Sequence, residues 1–443
     1  MITDTAPKIY RVVIPAGIDL PTGVAGAKLA CLLQHVLTLT CLSDERRYRG
    51  HWANVHSDRW QSLIGKHGYR RVINDARDAG YVEINEPYSD GSKTAPFTKS
   101  IRLAKKFCSG RAQIVTITNQ PAIQRVTKSF EPDTENLGDT GLFWFRNLAN
   151  FRLDETAPAD PALRDPWTQL VLAKLLDNRT VATRCDFRRL HTLLTQTARD
   201  ARSYLSTMHN EPLAIVDVSA AQPLIIGLLA ASPPTNPTQP REPATTRRVP
   251  LLSYGAHFRS LPDVEKWIRL CESREIYRYL WQSVQDYAES TLATVTTNTG
   301  HRVTIDMRAI SLSSFKRSSL IPLFDRLPQM EANPVFKIIV RDFPTIADFI
   351  RTAKSKPYRC GNRVISHQVL ACLAQRFEAE TIVDDVGRYL MQNHPDEPVA
   401  TIHDAILCRQ TFSKTAQQII KTQFERFGVS PSVKIENLER ITK

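Results

Sequence analysis

The 443-residue chain has no apolar run that approaches the roughly 20 residues of a membrane span. Its opening, MITDTAPKIYRVVIPAGIDL, has neither the charged start nor the cleavage site of a secretory signal. The expectation is a soluble globular protein of the cytoplasm. Its 8 cysteines (Cys31, Cys41, Cys108, Cys185, Cys271, Cys360, Cys372 and Cys408) form no CxxC pair, and no His cluster stands at zinc-finger spacing. Neither a disulfide frame nor structural zinc is therefore expected. GVAGAK near residue 23 lacks the GxxxxGK[ST] pattern of a phosphate-cradling loop. His51 and His56, in HWANVH, read as ordinary loop or surface histidines. Acid is scarcer than base, 45 Asp and Glu against 58 Lys and Arg, and the net charge of +13 points to a polyanionic partner.

What is present begins with 42% hydrophobic residues, enough for a substantial core, over a length that suggests two or three domains. The basic excess is uneven. Lys99, Arg102, Lys105, Lys106, Arg111, Arg125 and Lys128 follow one another with no Asp or Glu between them. Just before this run, Ser57 is placed to cap a helix over 58–64, and Tyr69–Ala79 reads as a second helix that Gly80 stops. A strand at YVEI, a turn at SDGSK and a strand near KSIRLA then make a hairpin. Helix, helix, hairpin is a winged-helix pattern, which implies nucleic-acid contact through Lys105, Lys106 and Arg111; winged helices also serve as protein-binding modules. Residues 231–250, ASPPTNPTQPREPATTRRVP, have few large apolar side chains and are expected to form a flexible insertion within a domain. Trp144 and Trp267 are expected in the core.

Two carboxylates stand where apolar strands end. LAIV runs into Asp217, and VATI runs into His403 and Asp404. An ionised Asp in a buried strand costs several kcal/mol unless it is paired or binds a cation, and no Lys or Arg lies in either strand. Two carboxylates brought together suit Mg²⁺, and a two-ion site suits in-line phosphoryl displacement. The competing reading makes Asp217 a cap for the helix near Gln222 and puts Asp404 in a solvated turn.

In this arrangement LAIVDVSAAQ resembles motif A, and TIHDAIL motif C, of the right-hand polymerases: family A DNA polymerases and the single-subunit phage-type RNA polymerases. The resemblance covers roughly residues 165–440. It implies that Asp217 and Asp404 hold two metal ions in the palm. SSFKRSSLIPLF is similar to motif B, which implies Lys316, joined by Arg317, as the triphosphate contact and Phe324 eight residues on as the aromatic near the sugar. Leu312 stands where that motif has Arg, and Phe324-Asp325 where it has Tyr-Gly. By the same resemblance Gln375 approaches the template-primer, Arg189 matches the Arg of a GRLSS segment, and Arg202 matches the basic residue before motif A. RDFPTIADFI resembles a fingers segment, and the stretch from Gly361 to Leu390 a long helix leading to motif C. Gln222, nearly the size of Glu, and Phe324, without a hydroxyl, both lean toward deoxynucleotides, with His403 also at the substrate.

The expected fold is α+β: a palm of antiparallel strands with helices, helical fingers, and a small winged-helix-like domain in front. The divisions are 1–125, with the winged-helix-like segment at about 40–110; 126–210, a helical thumb-like region; and 211–443, palm and fingers. Within the last, motif A lies near 213–230, the fingers span about 255–360, and motif C is 399–408. The expected activity is template-directed nucleotide addition with two Mg²⁺ ions, Mn²⁺ substituting, on a DNA template-primer. The source expected is a mobile element or phage, and the part before residue 165 is too short for a proofreading exonuclease. Two alternatives stay open: a DNA-binding replication initiator with an inactive palm, and a single-subunit RNA polymerase.

Overall fold

A computed structural model describes residues 9–41, 52–54, 57–85, 100–107, 111–128, 134–179, 181–231, 260–287, 292–296, 302–319, 325–355, 358–360, 363–365 and 368–439. The fold mixes helices with small antiparallel sheets. No described helix is long and apolar enough to cross a membrane.

The N-terminal unit is built on the long helix Gly23–Cys41. GVAGAK forms the first turns of that helix, so it is no phosphate loop. Strand Tyr10–Pro15 pairs antiparallel with Ala112–Ile117. The two expected helices form at Ser57–Ile64 and Tyr69–Asp78, and Gly80 follows with φ +69°. Strand Val82–Asn85 pairs with Ser100–Leu103, whose other edge takes the short strand Ala53–Asn54. The turn expected at SDGSK lies outside the described residues. Ala76, Trp60, Leu63 and Ile64 join the core of this unit, which is why Tyr69–Asp78 presents its polar side outward.

Segment 126–210, expected to be helical, also carries four short strands: Phe151–Leu153, Ala182–Arg184, Leu190–Thr192 and Leu205–Thr207. Local periodicity missed them because each spans only three residues. The insertion expected at 231–250 lies outside the described residues except for Ala231.

The sheet that matters most has four antiparallel strands in the order Val399–Ile402, Ala405–Arg409, Leu213–Val218, Val433–Asn437. Alternation puts Val216, Val218, Val399, Ile406 and Cys408 into the largest core, and Leu213, Ile215, Ala400, Ile402, Ala405 and Leu407 into a second core on the opposite face. The larger core holds helix Ala221–Ala230, apolar nearly all round and accordingly buried on nearly all sides. Trp267 donates its indole N–H to the carbonyl of Pro223 at 2.8 Å. Trp144 and Trp267 are both in this core, as expected.

The long helix expected over 361–390 is a composite. Two short strands, Tyr358–Cys360 and Arg363–Ile365, come first. An α-helix then runs Val369–Ala379, widens to a π-helical stretch at Glu380–Val386, and resumes at Gly387–Asn393. The widening answers a packing demand. Trp144 donates to the carbonyl of Val383 at 2.9 Å, and a Cβ at Gly387 would come within 2.6 Å of the same indole nitrogen.

Candidate active site

Strand Leu213–Val218 is β-rich and central, so its backbone is paired on both sides. Asp217 stands opposite Ala405 on one neighbour and Lys434 on the other. His403 and Asp404 form the two-residue tip of a hairpin closed by the pairing of Ile402 with Ala405. Asp404 is thus one residue beyond the direct partner of Asp217, and the two carboxylates sit together at the end of adjacent strands. His403 adopts φ +58°, a conformation that His tolerates better than most side chains. The capping alternative for Asp217 fails, because Ala220, at φ 55°, is the residue that precedes helix Ala221–Ala230 and no side chain caps it.

Both carboxylates are half-buried, and neither forms an ion pair among the described residues. Burial, followed by the charge of Asp404, pushes the Asp217 carboxyl up to about 7. Burial also raises Asp404, against the pull of its own backbone N–H and of Arg189. A cation would relieve both effects. Among the described residues no cluster of three or more His, Cys, Asp and Glu side chains could hold a metal. Two carboxylates are a donor set of the kind that Mg²⁺ takes, with water and phosphate filling the rest of its shell.

A third acid adjoins the pair. Glu378, only 2% exposed, receives the Arg189 Nη2 hydrogen bonds on both carboxylate oxygens at 2.7 Å. Burial pushes it up to about 7 despite Arg189, and the charges of Asp404 and Asp217 add to the rise. Arg189 thus pairs with a protein carboxylate through Nη2, while its buried Nε has no hydrogen-bond partner among the described residues. Its neighbours on the hairpin Ala182–Thr192 behave alike: Arg184 Nη2 meets Asp384 at 2.6 Å, and Arg188 meets Glu380 at 3.3 Å and Asp384 at 3.2 Å. Three arginines thus tie this hairpin to three acids of the composite helix. The signal was present in RRLHT and FEAETIVDD, but their pairing, across up to 200 residues, is a long-range fact.

Burial pushes the imidazole of His403 down to about 4, with the charges of Arg189, His191 and Arg202 adding, and its Nδ1 has no hydrogen-bond partner among the described residues. Arg202 is half-buried and donates to the Thr197 carbonyl at 3.2 Å. Gln375 lies on the same helix as Glu378, three residues earlier and hence on the same side. Gln222 is half-buried in the first turn of the helix that follows Asp217.

Lys316 is exposed on helix Leu312–Ser318, and its Nζ stands 5.9 Å from the ring centre of Tyr277. Burial raises the Tyr277 phenol well above its ordinary value, and Cys271, Asp404 and Asp217 raise it further. Tyr277 thus lies near Lys316 and feels the charge of both carboxylates, and nothing in the sequence marked it. Arg317 shares the helix, but its side chain is outside the described residues. Phe324 lies outside them altogether.

Lys105, Lys106 and Arg111 are exposed in the N-terminal unit. Arg102 is not available in the same way, being paired with Glu83 at 2.6 Å and stacked 4.5 Å over Trp52.

No protein-family model matches the chain, and no curated protein matches it. Among solved structures it is similar to "POL domain of Pol1 from M. smegmatis complex with DNA primer-template and dNTP", at 11% identity and a TM-score of 0.36, over 95% of this chain and 69% of that one.

Proposed function

We propose that the protein is a template-directed nucleotidyltransferase of the family A DNA polymerase type, acting on a DNA template-primer and deoxynucleoside triphosphates. One observation carries the reading: two half-buried carboxylates, Asp217 and Asp404, side by side at the end of adjacent central strands with no cation paired to either among the described residues. A protein gains nothing in stability from such a pair, and so a bound cation is the economical reason for it. Asp217 and Asp404 would hold two Mg²⁺ ions, with Mn²⁺ as a substitute; the ions would supply charge to activate a 3′-hydroxyl and to neutralise the departing pyrophosphate.

The residues around the pair have roles of their own. The Lys316 ammonium faces solvent beside Tyr277 and would draw in the triphosphate, with Arg317 beside it in sequence. His403, neutral above a pH of about 4, adds no positive charge that would compete for the acids. Gln222 would stand against the sugar, and Gln375 against the template-primer. Phe324 keeps its role as the aromatic near the sugar on the strength of the sequence resemblance alone. The winged-helix-like segment, with Lys105, Lys106 and Arg111, would hold nucleic acid, and the reading includes a mobile-element or phage source without proofreading.

Primer extension with Mg²⁺ tests the proposal. Wild type should extend, while Asp217→Asn and Asp404→Asn should not. A second reading is favoured by the helix, helix, hairpin order of the N-terminal unit: a DNA-binding initiator whose sheet is structural. Binding to one DNA sequence without any incorporation by wild type would decide for it.

A further inference from the structure

Strands Phe151–Leu153 and Leu205–Thr207 pair with each other and with no further strand among the described residues. Beside them lie two adjoining depressions of different character. The first is a bay of about 270 Å³ walled by Leu148, Phe151, Leu175, Leu194, Leu205 and Met208, and no acid lines it. The second is a wider cleft of about 850 Å³ whose lining includes Asp154, Glu155, Glu211 and Glu439. Arg152, Leu175, Asn178, Leu205 and Met208 line both and so form the boundary between them. Met208 is 46% exposed there, an apolar side chain left in solvent at the mouth of an apolar bay.

The charges are sorted by place. At the boundary Arg152 is exposed and pairs with no acid among the described residues; its Nε meets only the Ser206 hydroxyl, at 3.4 Å. Arg179, on the bay wall, shares the buried Asp177 with Arg11, at 2.8 Å and 2.9 Å. Two cations on one buried acid leave a positive excess, which the exposed Glu155, 3.6 Å from Arg11, offsets only weakly. In the cleft, Glu211 is engaged by Arg409 at 3.0 Å, and Asp154 accepts the Thr156 backbone N–H at 2.8 Å. Glu155 and Glu439 are exposed. From bay to cleft the surface therefore runs apolar, basic, acidic, and an acidic cleft stands out on a chain of net charge +13.

The place is remote from the carboxylate pair yet fixed to the same strands. Pro212 and Gln410, which line the cleft, stand just before Leu213–Val218 and just after Ala405–Arg409. Asp217 and Asp404 are at the other ends of those strands, and the steps from Pro212 to Asp217 span roughly 17 Å at strand rise.

We infer that the bay and cleft receive the C-terminal end of a partner protein, a segment that finishes in a large apolar residue and carries Lys or Arg shortly before it. The apolar side chain fills the bay, the terminal carboxylate meets Arg152 at the boundary, and the basic residues lie against Glu155 and Glu439. A fatty acid would match the bay and Arg152 but would leave the acids beyond them unanswered. Occupation at this distance leaves the nucleotide site open.

The test uses the full chain without Mg²⁺ or DNA and a short fluorescein-labelled peptide that ends in leucine with a free carboxylate and has two lysines just before it, followed by anisotropy. Amidating the carboxylate, replacing the lysines by glutamates, or Arg152→Ala in the protein should each weaken binding about tenfold or more, the size expected when a charge-assisted contact is lost. Glu155→Lys with Glu439→Lys should reverse the preference, so that the glutamate peptide binds better than the lysine peptide. Arg269→Ala, at an exposed helix position elsewhere, and Asp404→Asn should bind as wild type does; the second separates this inference from the proposed chemistry. A wild type that does not distinguish the free carboxylate from the amide would overturn the inference, as would unchanged affinity in Arg152→Ala. Labelled decanoate bound as tightly as the peptide would also overturn it, since the occupant would then be a lipid-like carboxylate. So would peptide binding that appears only after residues 440–443 are removed, since the cleft would then serve the chain's own end.

Discussion

In the sheet that carries Asp217 and Asp404, charge is taken into the protein. Asp217 and Asp404 are half-buried and Glu378, on the helix Val369–Ala379, is buried; burial raises the pKa of all three, the charges of neighbouring acids add to the rise at Asp217 and Glu378, and Glu378 is held by Arg189. In the N-terminal unit, charge is left in solvent: Arg70, Arg71, Lys105, Lys106 and Arg111 are exposed on a scaffold whose core is apolar. The two regions therefore respond differently to change. Removing the charge of Asp217, Asp404 or Glu378 alters stability and chemistry, because these carboxylates are desolvated. Removing one from the N-terminal unit alters little but long-range attraction for a polyanion, since exposed charges contribute about 0–1 kcal/mol to stability.

The sharpest way to break this contrast is at Arg189. Arg189→Ala leaves Glu378 buried without its cation, and losing one partner of a buried pair costs about 3–5 kcal/mol. Chemical denaturation should register a loss of that order at pH 8 and a smaller one at pH 5, where the abandoned carboxyl is protonated. An equally small loss at both pH values would mean that Glu378 is solvated.

Next in size is Asp217→Asn. The carboxyl has an ordinary value of 3.8 and is pushed up to about 7 in the fold, so the folded state binds its proton more tightly than the unfolded chain does. Wild type is then unaffected below pH 4, loses stability as pH rises through 7, and carries the full penalty above that. The variant has no such penalty. In chelator its advantage over wild type should be near zero at pH 4 and on the order of 1–3 kcal/mol at pH 8. Thermal denaturation across this range checks it, and a constant difference would show that Asp217 is not perturbed.

A change of substrate preference should follow Gln222→Gly. Opening space beside the sugar should raise ribonucleotide use relative to deoxynucleotide use by about tenfold, about 1.4 kcal/mol of discrimination. Single-nucleotide incorporation measures the ratio, and an unchanged ratio would remove Gln222 from the sugar.

The smallest structural effect belongs to the exposed cations. Neutralising Lys105, Lys106 and Arg111 together should leave the melting temperature nearly unchanged and lower the salt slope of nucleic-acid binding by up to about 2.7, or 0.9 per phosphate contact. An unchanged slope would mean that these residues face solvent in the complex.

The same contrast explains what could be read from sequence. The two helices and the paired strands at 57–103 were legible to within a residue or two, because periodicity and Gly80 are local signals that the fold did not override. The His-Asp hairpin tip was legible too, since an acid ending an apolar run conflicts with its surroundings. The pairing of Arg189 with Glu378, 189 residues away, was not legible, because it is a long-range contact. Tyr277 was passed over because nothing local marks it; it gains meaning only from Lys316 and the two acids. The break in the helix before hairpin Val399–Arg409 was hidden for a similar reason, being tied to Trp144, 239 residues from Val383.

The central claim is that Asp217 and Asp404 are a catalytic metal-binding pair, and Mg²⁺-dependent primer extension by wild type and Asp404→Asn tests it most directly. The account predicts extension by wild type that stops with chelator. It predicts a loss of about 10³-fold or more in the variant, about 4 kcal/mol of lost stabilisation, with the variant folded and still bound to duplex. Extension by Asp404→Asn at close to the wild-type rate would contradict it.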